Sequence, residues 1–210
     1  HLPEETSNFK YKVFGPKRLW TQIALPISFF SGKRPEVFFT PGHYRPRWSP
    51  IPTIISIMDL GYLQFPDQFT KRDLMQLTKW TQTSVRKANH ILAISESTKR
   101  DVVKYYGIPQ DRVTVTHLGY DNDKFKITNS KSQISKVKNK YKIKNDYILF
   151  LSTLKPSKNI EGLLEAFRLL GNLAIRQPKS PMTQEPNDLS LVIAGKKGWM
   201  FDSIFEKVKK

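Results

Sequence analysis

Lys158 closes a short polar loop, Ser152 to Lys158, that follows an apolar run and precedes Asn159 and a helical pattern. An ammonium at that point would suit a phosphate. The orphan N–H groups and the dipole at a helix N-terminus favour an anion, and a lysine adds a full charge. The loop lacks the glycines of a phosphate cradle, so a solvated lysine beside an ordinary cap is the competing reading. A second group is His43, Tyr44 and Arg45, within the stiff stretch Pro41 to Trp48. An imidazole, a phenol and a guanidinium after a strand fit ligand contact. They also fit a surface loop whose aromatics cover a sheet edge. Asp59 ends another apolar run, where its carboxylate would either orient a hydroxyl or close a turn. His117 has no companion and reads as a packed or exposed residue rather than a ligand.

These groups need elements to hold them. Tyr147 to Leu151 reads as a buried parallel strand. Ile160, Leu163, Leu164, Phe167 and Leu170 then recur with helical spacing, and Asn159 sits where an N-cap side chain belongs. Further strands are expected over Glu36–Thr40, Pro52–Met58, His90–Ile94, Arg112–His117 and Leu191–Gly195. A short helix stopped near Pro26 is expected in Leu19–Phe30. Lys71 to Ala88 reads as a helix, with Trp80 as core or sheet cover. Thr98 and Asp101 form a capping-box-like pair for a helix that runs to Tyr106 and stops at Gly107. Asn172 to Ser190, with three prolines, reads as a flexible insertion, and His1 to Arg18 as loop. Strands alternating with helices define an α/β chain.

Composition narrows the function. The chain has no cysteine, which excludes disulfides and thiolate metal sites and fits a cytoplasmic location. The formal charge is +17, which calls for nucleic acid, an anionic membrane surface or phosphorylated substrates as partners. The α/β pattern and the absence of a base-reading motif make nucleic acid the weakest of the three. Between Lys124 and Lys158 the only acid is Asp146, so this segment is either a solvated basic face or one that meets anionic lipid. The stretch Ile23 to Phe30 is too short for a membrane helix and is broken by Pro26. No signal-peptide pattern is visible, and the first residue is His1.

Three stretches together resemble one family. Strand–LKPSKN–IEGLLEAFRLL resembles the start of the second domain of family 4 glycosyltransferases. Ile91 to Phe125, ILAISESTKRDVVKYYGIPQDRVTVTHLGYDNDKF, is similar to the end of the family's first domain. Pro41 to Phe69 resembles its proline-rich acceptor-side loop and the strand after it. The resemblance implies an α/β fold of two Rossmann-like domains facing a cleft, the GT-B arrangement, both incomplete here. Residues 1–122 would be the latter part of the acceptor-side domain, 123–145 a basic linker, and 146–210 the first part of the nucleotide-sugar domain.

The implied activity is retaining transfer of a hexose from a nucleotide-sugar to a glycan or lipid-linked acceptor, as in polysaccharide biosynthesis, with no metal or other cofactor. The resemblance places Lys158 on the donor diphosphate, with Thr153 near the position of an arginine found in some members. Ser157, Gly195 and Lys196 would lie beside the donor, and His43, Tyr44 and Arg45 on the acceptor side. Met58 stands where the family has a histidine that contacts the donor sugar, which leaves Asp59 as the catalytic candidate. The family's early Gly-rich loop and its later pair of donor-binding glutamates lie outside these residues, so the chain is expected to be a fragment, inactive by itself. A basic binding module or a degenerate homologue are the alternatives. The expected location is cytoplasmic, peripheral to the inner face of the membrane.

Overall fold

The computed structural model describes residues 3–16, 19–126, 130–144, 146–176 and 189–209. The chain divides into two compact units, His1–Tyr120 and Asp121–Lys210.

Unit 1 is built on a four-stranded parallel sheet of β1 (Phe38–Thr40), β2 (Thr53–Ile57), β3 (His90–Ala93) and β4 (Val113–Val115), in that spatial order. Ile55 lies opposite Ile91, and Ile57 opposite Ala93. The period of two puts Ile55, Ile57, Ile91, Ala93 and Val113 on one face, all buried. Against that face pack Val85 of α3 (Lys71–Lys87) and Val102 of α4 (Glu96–Tyr106), together with Tyr62 of the short α2 (Gly61–Gln64) and Leu60 just before it. Tyr62 and Tyr106 join their hydroxyls at 2.7 Å within this core, which satisfies two polar tips that burial would otherwise strand.

Helix ends follow local chemistry. Thr70 caps α3 by accepting from the Asp73 N–H. Gly107 stops α4 in the left-handed conformation (φ 64°), where a side chain would be strained. The expected Thr98–Asp101 cap is corrected. The helix starts three residues earlier, with Ser95 as its cap accepting from the Thr98 N–H, and Asp101 instead accepts from Gln64. Pro26 does not stop a helix either. It lies in the first turn of α1 (Ala24–Ser28), where an N–H has no partner within the helix, so a residue without one fits there.

The connection from β1 to β2 holds no helix. Residues 41–52 instead run as an extended loop along α3, where the Arg45 N–H donates to Ser84 Oγ (3.1 Å).

Unit 2 contains α5 (Lys131–Lys140), β5 (Asp146–Leu151), α6 (Ile160–Arg176), β6 (Leu189–Ala194) and α7 (Asp202–Lys209). β5 and β6 pair in parallel from Asp146–Leu189 to Leu151–Ala194. Leu154, Ile160 and Ile204 form the buried cluster, flanked by Phe150, Leu164, Ile193 and Phe201. The expectation that β5 is buried is corrected: Ile148, Leu149 and Leu151 are exposed, Leu151 by 73%. A strand is buried when neighbours cover both of its faces, and among the described residues β5 has one partner strand and contributes only Phe150 to the cluster. The proline-bearing insertion expected over Asn172–Ser190 is helix up to Arg176 and strand from Leu189, and 177–188 lie outside the described residues.

Candidate functional site

The candidate residues lie on two separate edges, one in each unit, both at carboxyl ends of parallel strands. In unit 2 the turns after β5 and β6 are laced together. The Ser152 N–H donates to the Ala194 carbonyl (3.0 Å), Leu154 N–H to Lys196 (2.9 Å) and Gly198 N–H to Leu154 (3.0 Å). The fit requires glycine at 195. Its φ is +152°, and a Cβ there would lie 1.7 Å from the Ser152 carbonyl oxygen. Buried Leu154 pins the same loop to the cluster below.

Beyond Leu154 the loop carries its cations. Lys155 holds its ammonium 4.6 Å from the centre of the Trp199 ring, a cation–π contact that ties the two turns from above. Pro156–Lys158 make one 3-10 turn, and α6 begins at Ile160. Asn159 accepts the Leu163 N–H on its backbone carbonyl, as an N-cap residue does. Its backbone is left-handed (φ 47°, ψ 41°) rather than in the extended region usual for a cap. Gly162 leaves room for the Asn159 side chain: a Cβ there would lie 2.7 Å from both of its amide atoms.

Lys158 and Ser157 are exposed at this helix mouth, Thr153 is half-buried in the loop, and Lys196 is exposed across from it. Among the described residues neither Lys158 nor Lys196 takes part in an ion pair. The acid in the first turn of α6, Glu161, is held instead by Ser203 (2.6 Å) and Lys207 (3.0 Å) of α7. Those two partners lower its pKa. The edge therefore presents a lysine, a hydroxyl and helix N–H groups together, a set that can take an anion.

In unit 1, His43 Nε2 accepts the backbone N–H of Met58 (3.0 Å). An imidazole thus sits beside the residue that closes β2. Thr98 Oγ1 donates to the Met58 carbonyl (3.0 Å), so both polar backbone groups of Met58 are spoken for. Sequence reasoning missed this role for Thr98, because the contact joins residues forty positions apart. Asp59 is exposed and accepts the Gly61 N–H on Oδ1 (3.0 Å), a turn-closing role that leaves its second oxygen to solvent. Tyr44 and Arg45 leave this edge and pass down α3. Trp80, expected as core or sheet cover, is 48% exposed and meets Tyr44 edge-on at 5.5 Å.

Burial lowers the pKa of His43, and the charge of Asp59 offsets this in part. The native state then binds fewer protons than the unfolded chain as pH falls through the ordinary value of 6.5, so stability declines below that point. The geometry gives the same sign, since a protonated Nε2 becomes a donor and must face the Met58 N–H. Denaturation of the wild type is expected to show a lower midpoint at pH 5.5 than at pH 7.5, a difference reduced in His43→Gln. An equal drop in both would remove His43 as its source.

Two parallel α/β units with loop side chains gathered at strand carboxyl ends define a Rossmann-like protein. Comparison with known proteins makes this specific. The sequence model described as Glycosyltransferase Family 4 matches residues 13–124, and the chain belongs to that family. It is 26% identical over 158 residues to O-antigen chain mannosyltransferase B of Escherichia coli, covering 75% of this chain and 38% of that protein. It is also 36% identical over 84 residues to the serotype-specific mannosyltransferase WbdA of Escherichia coli, covering 40% of this chain and 10% of that one. Among solved structures, Anabaena Alr3699/HepE in complex with UDP-glucose superposes with a TM-score of 0.52 at 17% identity, covering 76% of this chain and 37% of that chain. The α/β, GT-B-type fold is thus shared, and the chain spans well under half the length of these relatives.

Proposed function

We infer that this protein is a nucleotide-sugar-dependent glycosyltransferase that moves a hexose, with retention, to a glycan or lipid-linked acceptor. The observation that carries this reading is the laced edge of unit 2, where Lys158 stands at the mouth of α6 and the loop before it is bonded through Leu154 to the turn that holds Gly195 and Lys196. Charge builds on the leaving diphosphate during transfer, and preorganised cations and N–H dipoles stabilise it. In this reading those groups neutralise the diphosphate without a metal ion, with Thr153 and Ser157 as additional hydroxyl contacts. Mannose is the favoured sugar because the named relatives are mannosyltransferases. UDP-glucose, bound by Alr3699/HepE, is the competing donor.

On unit 1, His43 and Asp59 serve the acceptor and the transfer step. The imidazole of His43 stands beside Met58, where the side chain itself can neither donate nor titrate. The proposed location is the cytoplasmic face of a membrane. Among the described residues no helix is long and apolar enough to cross one. α5 presents exposed lysines together with half-exposed Ile134 and Val137, a surface suited to anionic lipid.

The test is a transfer assay on the natural full-length protein, with GDP-mannose and UDP-glucose supplied separately alongside a mannose oligosaccharide acceptor. The expected product is an extended oligosaccharide whose new linkage keeps the donor's anomeric configuration. Binding of neither nucleoside diphosphate would overturn the reading.

A further inference from the structure

A cavity of about 530 Å³ opens on the flank of unit 1, between the β1–β2 loop and the later turns of α3. Its charge is one-sided. Arg45, Arg47 and Lys79 line it, and no Asp or Glu does. Arg45 is the unusual member: only 7% of its surface is exposed, and its Nε, fully buried, has no hydrogen-bond partner. Burial also lowers its pKa. Even so, a guanidinium stays charged in a protein at neutral pH. Burying such a charge without a counter-ion is costly, and folds otherwise avoid it. The loop nonetheless fixes the arginine there through its backbone bond to Ser84.

The rest of the lining is not that of a bare ion site. Tyr44 and Trp80 contribute aromatic rings, and Gln82 and Thr83 an amide and a hydroxyl. Aromatic faces with a few polar groups and this volume suit a small organic body. We propose that this pocket binds an anionic saccharide, with the oxyanion at Arg45, Arg47 and Lys79 and the sugar ring against Tyr44 and Trp80. A phosphate ester and a uronate carboxylate share that chemistry. The saccharide half of the inference rests on the glycosyltransferase reading. The pocket would give that enzyme a second sugar contact on the acceptor unit, away from the His43–Met58 edge.

Calorimetric titration of the full-length protein with glucose 6-phosphate, glucuronate, inorganic phosphate and glucose tests this. At least one charged sugar is expected to bind tenfold or more tightly than both glucose and inorganic phosphate, and the stronger of the two identifies the oxyanion. Arg45→Met, which keeps the stem and removes the charge, is expected to weaken that binding at least tenfold. It should leave the thermal midpoint unchanged or raised, since an unpaired buried charge is gone. An arginine with a purely structural role would lower it. Lys79→Glu, at an exposed position, is the variant that spares the interior and is expected to weaken binding similarly. Equal affinity in wild type and both variants overturns the pocket. Inorganic phosphate binding as tightly as the stronger of the two charged sugars overturns the saccharide assignment. GDP and UDP binding, measured in parallel, should be unaffected by either variant, so failure here is separable from failure of the glycosyltransferase reading.

Discussion

Gly195→Ala is expected to destabilise unit 2 by about 3 kcal/mol or more. Two penalties combine at this position. A φ of +152° is strained for any L side chain, and the added Cβ would fall 1.7 Å from the Ser152 carbonyl oxygen. That oxygen belongs to the backbone, so no rotamer change relieves the clash. The turn after β6 would have to move away from the turn after β5, breaking the bonds from Leu154 to Lys196 and from Gly198 to Leu154. Urea denaturation, followed by hydrogen exchange at Leu154 and Gly198, checks this. Gly171→Ala is the control. It sits within α6 with nothing inside 4 Å of its added carbon, and should be neutral or stabilising by up to about 1 kcal/mol. If both substitutions behave alike, the packed turn is not what holds the edge together.

Lys158→Ala is expected to weaken nucleoside diphosphate binding by about 1.5–3 kcal/mol, or roughly 10- to 100-fold, the usual worth of a hydrogen bond to a charged partner. Because Lys158 is exposed and takes part in no ion pair among the described residues, the denaturation midpoint should barely move. That separation is the informative part: affinity falls while stability stays. Lys155→Ala offers the contrast. Its ammonium is already committed to Trp199, so its removal should loosen the loop more than it weakens the nucleotide. Titration of GDP and UDP into both full-length variants distinguishes the two. Unchanged affinity in Lys158→Ala would remove this residue from the donor site.

Much of unit 1 was legible because its signals are local. The short apolar runs at Ile54–Ile57 and His90–Ala93, the periodic face of α3 and the glycine at 107 each decide structure within a few residues. The positions of Lys158 and Asn159 were legible for the same reason. The left-handed backbone of Asn159 was not, because a 3-10 turn closing straight into a helix leaves no periodic signal in the sequence. Nor was the burial of Arg45, which follows from a bond to Ser84, thirty-nine residues on. His43 could be placed after a strand, but its partner could not, since the Met58 N–H meets it only once β1 and β2 pair. The exposure of β5 lay beyond sequence reading for a related reason. An apolar run reports what a strand prefers, whereas burial depends on what packs against it.

The sheet of unit 1 has its strands side by side in the order in which they are made. During synthesis each new strand therefore meets an edge that already exists, and none has to be inserted between two earlier ones. β3 returns to β2 across the length of α3, and β4 to β3 across α4, so each closure spans a few tens of residues. Short closures lose little chain entropy and favour fast docking. β4 ends at Val115, so all four of these strands are translated before Asp121, where unit 2 begins, and can dock one by one as they leave the ribosome.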